Sequence, residues 1–229
     1  MQIIKGFLLS YVKYGDSDAI LHCFTEEAGF QSFFAKGLYT AKNKKKPYLF
    51  PLNYLFFSVP KKAVESRISR VSKLEAGTDS YDFQNVAASS VLFFTADFLH
   101  QVLREEGRNE VLFEEMIIVR NQFVEQNFDA YLAFIFKFLM ISGVAPLKGN
   151  DKFLNPESGI FEAEMSHSFF NENISEIWLK FLAASEIYAV KLSKKDKTAF
   201  LDSLMIYCQF HITNFYIPNS LAVVREIFE

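Results

Sequence analysis

Two pairs of residues have the spacing of metal ligands. Glu164 and His167 show the ExxH spacing of a carboxylate-bridged site, and Cys208 and His211 are one turn apart on a predicted helix. Neither pair has the matching second half that a closed zinc site with four ligands needs. The chain also has no GxSxG, P-loop or GxGxxG motif. We therefore predict no catalytic residues, no metal and no other cofactor, with a metal-dependent hydrolase built on Glu164 and His167 as an alternative.

A second candidate site is electrostatic. Residues 1–78 carry 12 Lys and Arg against 6 Asp and Glu, whereas residues 79–229 carry 12 against 21, in a chain of net charge −3. The interval between Glu27 and Glu65 contains no acid and seven lysines: Lys36, Lys42, Lys44, Lys45, Lys46, Lys61 and Lys62. Lysines that neutralise phosphates gain from counterion release, so this interval suits a polyanion. A solvated loop of solubilising charge would show the same pattern.

Aromatic residues flank these lysines on both sides. They are Phe33, Phe34, Tyr39, Tyr48, Phe50, Tyr54, Phe56 and Phe57. Proteins that bind single strands combine a positive track with aromatic rings on which bases stack. Most of these rings must fill a core, because alternate residues of a small barrel point inward. Tyr39 and Tyr48 lie inside the polar loop, and we expect these two rings to be exposed.

The elements that position these residues change type after Gly77. Five runs rich in β-branched and aromatic residues, separated by turn residues, occupy 3–13, 19–25, 30–37, 52–60 and 66–75. Five short strands with one long connection after the third predict a small barrel of the OB type, and an SH3-like barrel would give a similar pattern.

The remainder of the chain is predicted to be helical. Apolar residues recur at three and four spacing in 86–106, 110–126, 129–143, 174–185 and 197–215, and a short amphipathic helix ends the chain. Asp82 and Asp129 are candidate N-caps, and Gly107 and Gly143 are candidate helix stops. The sequence thus predicts an α+β protein with a five-stranded OB-fold barrel at 1–78, an all-α domain at 79–229, and an irregular insertion at about 147–170.

Two features bear on the compartment. The longest apolar stretch, Tyr131 to Ala145, is broken by Lys137 and is shorter than the ~20 residues that cross a bilayer. The N-terminus lacks the pattern of a signal peptide, and the two cysteines, Cys23 and Cys208, form no disulfide framework. We expect a cytoplasmic, nucleoid-associated protein with no membrane partner and no small-molecule substrate.

Several short motifs occur in the order found in one known family. They are Lys5-Gly6, Gly15-Asp16-Ser17-Asp18, Phe24-Thr25-Glu26-Glu27-Ala28-Gly29 and Ala35-Lys36-Gly37. Later segments, FLHQVLREEGRNEVLF, FIFKFLMISGVAP and YCQFHITNFYIPNSLAVVREIF, agree with the same family. Over nearly its whole length the chain resembles the RecO family of bacterial recombination mediators.

The resemblance implies a non-enzymatic protein with an N-terminal OB-fold and a helical C-terminal domain. Such proteins bind single- and double-stranded DNA, anneal complementary strands, and act with RecR to load RecA onto strands covered by single-stranded DNA-binding protein, whose acidic C-terminal tail they recognise. The DNA-binding candidates are Lys36, Tyr39, Lys42, Lys44, Lys45, Lys46, Lys61 and Lys62. An acidic tail should seek basic positions of the helical domain, such as Arg104, Arg108, Arg120, Lys137 and Lys180.

The chain departs from many relatives in one segment. They carry a four-cysteine zinc module in the helical domain, whereas the corresponding residues here, 148–170, include no cysteine. We expect no structural zinc, and a hairpin packed by Phe153, Ile160 and Phe161 in its place. A different class of function also fits the residues, namely a protein-interaction scaffold whose barrel docks an acidic peptide.

Overall fold

Six strands form one sheet in the first third of the chain. A computed structural model describes residues 1–40, 43–60, 68–77 and 85–228. The strands are β1 (Gln2–Tyr14), β2 (Asp18–Thr25), β3 (Gly29–Ala35), β4 (Tyr54–Val59), β5 (Ile68–Arg70) and β6 (Lys73–Ala76). Their order in the sheet is β5-β3-β2-β1-β4-β6. All neighbours are antiparallel except β3 and β5.

The run predicted as a single fifth strand is divided between the two edges of the sheet. The backbone N–H of Val71 donates to the Phe34 carbonyl at 2.9 Å, and the N–H of the next residue, Ser72, donates to the Ser58 carbonyl at 2.9 Å. One continuous segment therefore pairs first with β3 and then with β4. Because it joins both edges, the sheet curls into an OB-like barrel, as the sequence predicts.

The barrel interior is filled by alternate residues of the strands. Leu21, Phe33 and Phe57 are fully buried, and the rings of Phe33 and Phe57 stack at 4.1 Å between centroids. The register of β1 shifts between Leu8 and Ser10. Before this shift, consecutive residues face different surroundings because side chains alternate along a strand. Leu8 packs in the barrel core, whereas the buried ring of Phe7 lies 5.3 Å from the ring of Phe113 on a helix outside the barrel.

The helices begin after the barrel. They are α1 (Val86–Val102), α2 (Glu110–Val124), α3 (Ala130–Ile141), α4 (Glu172–Ala183), α5 (Lys194–His211) and α6 (Ser220–Phe228). The Asn85 side chain caps α1 by accepting from the Ala88 N–H, while the predicted cap Asp82 lies outside the described residues. Among the helices that the structure describes, none is long and apolar enough to cross a bilayer.

The chain divides into two compact units, Met1–Val124 and Glu125–Glu229. Helices α1 and α2 belong to the unit that contains the barrel, because their aromatic residues cover its outer surface: Phe113 lies against Phe7 and Phe24, and Phe93 against Phe50. The change from strands to helices near residue 78 is thus not the boundary between compact units. A domain boundary at 78 stays a prediction.

The second unit has an aromatic core and a small hairpin, β7 (Phe153–Asn155) and β8 (Ile160–Glu162). The hairpin forms where the irregular insertion was predicted. Of the three residues expected to pack it, Phe161 is buried and Phe153 is half-buried, but Ile160 is 48% exposed and that expectation was wrong. Leu154 is buried instead, because residues of the hairpin alternate between the α4 side and solvent.

Both ends of α3 follow the predicted signals in part. Gly143, with φ +71°, takes the left-handed conformation after the helix, as a glycine stop should. Asp129 is the N-cap residue, yet its side chain makes no capping hydrogen bond. Its carboxylate instead pairs with the Lys197 ammonium at 2.6 Å, which ties the start of α3 to α5.

Candidate nucleic-acid interface

Both histidines of the two pairs with metal-ligand spacing make structural hydrogen bonds. His167 Nδ1 accepts a hydrogen bond from the Phe169 N–H at 3.2 Å, and His211 Nε2 donates to the Pro156 carbonyl at 2.8 Å. Cys208 is buried, and burial raises the pKa of its thiol well above the usual value. No group of three His, Cys, Asp or Glu able to hold a metal occurs in the described part of the chain.

Lys36 lies just beyond β3, in a turn fastened to the β1–β2 connection. Asp18 Oδ1 accepts from the Gly37 N–H at 2.7 Å and from Ser17 Oγ at 3.0 Å, and the Tyr39 N–H donates to the Ser17 carbonyl at 2.7 Å. The hydrogen bond from Gly37 is the main reason that the pKa of Asp18 is lowered. The exposed side chain of Lys36 therefore projects from a fixed backbone.

The lysine-rich segment is held by its own polar side chains. Thr40 Oγ1 and Asn43 Nδ2 both donate to the Gly37 carbonyl, at 2.9 and 3.0 Å, and Asn43 Oδ1 accepts from the Lys45 N–H at 2.9 Å. A 3-10 helix, Lys46–Leu49, follows and inserts Leu49 into the barrel core. Lys44 and Lys46 are exposed and Lys45 is half-buried, so the segment displays positive charge on an ordered backbone.

Tyr39 brings cations from two elements together. The Lys13 ammonium lies 5.8 Å from the centroid of the Tyr39 ring, and the Lys46 ammonium lies 5.9 Å from it. Both distances are within the range of a cation–π interaction. The expectation that Tyr39 and Tyr48 are exposed was wrong, because both rings are half-buried and pack against the barrel core.

Two basic residues of this region were missed by the sequence reasoning. Lys13 lies near the end of β1, and Arg70 pairs with Phe34 across β5 and β3. Both side chains are exposed, and the charges of Arg70 and Lys36 contribute to lowering the pKa of Asp18. Neither belongs to a lysine run. The signal that could have identified them is their position in strands that end beside the lysine-rich connection after β3.

An aromatic pair lies on the outer face of the same strands. The rings of Tyr14 and Phe34 meet edge to face at 5.8 Å, and Tyr14 is 58% exposed. Phe34 lies directly across from Ile20 on β2 and from Arg70 on β5. Exposed rings beside cations can stack on the bases of a single strand. Of the other predicted DNA contacts, Lys42, Lys61 and Lys62 lie outside the described residues.

The five basic candidates for binding an acidic tail are divided between the two units and differ in exposure. Arg104 and Arg108 are exposed, and Arg108 forms an ion pair with Glu110. Arg120 is only 6% exposed in α2, so the expectation of a surface position was wrong. Arg120 lies close enough to Tyr54 of β4 for its charge to oppose the rise in the pKa of that phenol caused by burial. In the second unit, Lys137 is half-buried and Lys180 is exposed.

An OB-like barrel with lysines and aromatic rings at one end is the architecture of proteins that bind oligonucleotides. Residues 1–76 match the family described as "Recombination protein O N terminal". The whole chain is 25% identical over 238 residues to the DNA repair protein RecO of Flavobacterium psychrophilum, covering all of both chains. It is 27% identical over 237 residues to that of Christiangramia forsetii, covering 98% of each. The RecO of Bacteroides fragilis is 23% identical over 244 residues.

The similarity to RecO DNA repair proteins extends over the full length of the chain, and its first 76 residues match the N-terminal domain of that family. Proteins of the RecO family are non-catalytic recombination mediators, so this similarity supports the prediction that the chain is not an enzyme. The resemblance noted from the four short motifs is confirmed.

Proposed function

We propose that this protein is a DNA-binding recombination mediator of the cytoplasm. It binds single- and double-stranded DNA at the lysine-rich end of its barrel and anneals complementary strands. With RecR it helps to load RecA onto strands covered by single-stranded DNA-binding protein, whose acidic tail it recognises. Full-length similarity to DNA repair proteins and the charge of the barrel support this proposal.

One observation carries the DNA-binding part of the proposal. Lys13 and Lys46 come from different elements, yet both ammonium groups lie within 6 Å of the Tyr39 ring. Two ammonium groups repel each other at this separation, and a ligand of opposite charge that binds between them offsets this repulsion. A phosphate backbone is such a ligand, and its binding releases condensed counterions. Lys36 and Arg70 extend the positive region beside Asp18.

Replacing Lys44, Lys45 and Lys46 by alanine should weaken the binding of single-stranded DNA and reduce its salt dependence. If all three contact phosphate, the slope of log K against log salt should become less steep by about 2, because each contact contributes roughly 0.7. Fluorescence anisotropy with a labelled oligonucleotide at several salt concentrations measures this slope.

A triple variant of equal charge change is the control for this experiment. Lys148, Lys191 and Lys195 are exposed residues of the second unit, and their replacement by alanine should leave the slope unchanged. An unchanged slope in the Lys44, Lys45 and Lys46 variant would remove these lysines from the DNA interface. Loss of an acidic peptide ligand with intact DNA affinity would instead favour the scaffold function.

Tyr39→Ala should weaken DNA binding more than Tyr39→Phe. Phenylalanine keeps the ring that holds Lys13 and Lys46, whereas alanine removes both cation–π contacts and the packing against the barrel core. We expect about fivefold weaker binding for the alanine variant and less than about twofold for phenylalanine, given roughly 0.5–1 kcal/mol per exposed cation–π contact. Equal affinities of the two variants would show that the ring does not organise the site.

A further inference from the structure

Two histidines and an arginine meet on the outer face of β2 and β3. His22 lies across from Ser32, and two residues further along the strands Ile20 lies across from Phe34. Side chains two residues apart on a strand share a face at a spacing of about 7 Å. The outer face of β3 therefore carries Phe30, Ser32 and Phe34 in sequence, and Lys36 follows just beyond the strand.

The rings at the far end of this face are in mutual contact. His22 stacks on Phe30 at 5.9 Å with an interplanar angle of 15°. His100, near the end of α1, lies 5.4 Å from the His22 ring and 5.7 Å from the Phe30 ring. His22 Nδ1 is 2.9 Å from Ser32 Oγ, which fixes the orientation of the imidazole. Both histidines are half-buried, and Arg104, one turn beyond His100, is exposed.

The charges around this pair are mainly positive. Burial lowers the pKa of His22 first, and the charges of His100 and Arg104 lower it further. Burial also lowers the pKa of His100, Arg104 adds to the effect, and Asp97 on the same helix opposes it. Both pKa values therefore lie below the ordinary value of about 6.5, which favours the neutral form of each ring. Protonation becomes favourable when a negative ligand offsets the repulsion.

We infer that the outer face of β2 and β3 holds a proton-linked phosphate site, in which a DNA phosphate binds between His22, His100 and Arg104. This inference rests on the proposed function and extends it from the lysine-rich end along the barrel. Phe34 and Tyr14 lie between the two basic regions and offer rings on which bases stack. Along these strands, aromatic rings lie between two basic regions, and one DNA strand can contact all three regions.

The sign of the pH dependence follows from the lowered pKa values. A bound phosphate favours the charged imidazoles and therefore raises both pKa values. At a pH between the pKa values of the complex and those of the free protein, the complex carries more protons than the free protein. Affinity should therefore increase as the pH falls from about 8 to about 5.5. Lysine and arginine contacts do not titrate in this range, so they leave the pH dependence unchanged.

The test is a DNA titration with the full chain at constant ionic strength between about pH 8 and 5.5. The probe is a labelled thymidine oligonucleotide of about 20 nucleotides, whose bases do not titrate in this range. We expect the affinity of the wild type to rise about tenfold as the pH falls, which corresponds to uptake of one proton over one pH unit. The double variant His22→Gln, His100→Gln should show a flat profile, because glutamine keeps polar contacts and cannot take up a proton.

Two further variants complete the design. His167→Gln removes a half-buried histidine of the second unit and should keep the wild-type pH profile. Arg104→Gln changes an exposed side chain, and it should weaken binding several-fold at every pH. Circular dichroism at each pH verifies that the variants are folded.

The outcomes separate this inference from the proposed function. A flat wild-type profile with normal DNA binding, or an unchanged profile in the double histidine variant, would overturn the proton-linked site and leave DNA binding intact. Absence of DNA binding at every pH and at low salt would overturn both. A pH-dependent wild type with a flat double variant and a weakened Arg104→Gln would establish the site.

Discussion

Gly29→Ala is expected to destabilise the first unit by at least about 3 kcal/mol, because strain and a backbone collision act at the same position. Gly29 has φ +71°, where an L-residue costs roughly 1–2 kcal/mol. A Cβ there would lie 2.1 Å from the Gly107 carbonyl oxygen and 2.5 Å from that of Glu106. The backbones must separate to accept it, which breaks the hydrogen bond from the Phe30 N–H to the Glu106 carbonyl.

Urea unfolding followed by circular dichroism measures this loss, and the barrel provides a matched control. Gly15 has φ +59°, yet nothing lies within 4 Å of a Cβ built on it. Gly15→Ala should therefore cost only the strain, roughly 1–2 kcal/mol. Equal losses in the two variants would show that the approach of the β2–β3 turn to Gly107 contributes nothing.

The same contact has a consequence for the proposed DNA site. The turn at Gly29 fixes the end of α1 to the barrel through Phe30 and Glu106. His100 lies six residues before Glu106, and Arg104 lies two residues before it. Their position over β2 and β3 therefore depends on a glycine that allows two backbones to touch.

Trp178→Ala is expected to destabilise the second unit by about 4 kcal/mol, a typical loss for a buried tryptophan. The side chain is fully buried, and its ring lies 4.7 Å from Tyr207, 5.4 Å from Phe136 and 5.7 Å from Phe200. Its Nε1 donates to Ser203 Oγ at 2.9 Å. The substitution leaves a cavity and removes the partner of a buried hydroxyl.

Thermal unfolding followed by far-ultraviolet circular dichroism is the appropriate measurement, since Trp178 is the sole tryptophan of the chain and its fluorescence is lost in the variant. Phe210→Ala on α5 is a control of similar chemistry, because that ring is 48% exposed. We expect a loss below about 1 kcal/mol there. A comparable loss at both positions would contradict the assignment of Trp178 to the centre of the core.

The aromatic core of the second unit is supported by hydrogen bonds around the hairpin. The Tyr207 hydroxyl donates to the Val144 carbonyl at 2.9 Å, and the Leu154 N–H donates to Ser175 Oγ at 2.9 Å. These bonds attach the hairpin and the segment before it to α4 and α5. Hydrogen bonds and buried rings hold the segment in which we predict no zinc.

The sequence by itself determined the order and type of the elements and the family. Period-two alternation in the first 76 residues and three-and-four spacing beyond Val86 are local properties, and each run forms the element that buries its apolar side. The lysines of the connection after β3 could be identified from the sequence because a run of like charges is also a local property. Ordered motifs such as Gly15-Asp16 and Ala35-Lys36-Gly37 were sufficient to indicate the RecO family.

Only the tertiary structure decided which side chains meet. Lys13 lies 33 positions before Lys46 in the sequence. The two are brought to one ring by pairing of β1 with β2 and by the hydrogen bond from Tyr39 to Ser17. His22 and His100 become neighbours because α1 packs against the barrel and brings the two rings to 5.4 Å. The burial of Arg120 and the partial burial of Tyr39 also result from such packing. Contacts between residues distant in sequence arise when a sheet closes and helices cover it, and no local periodicity records them.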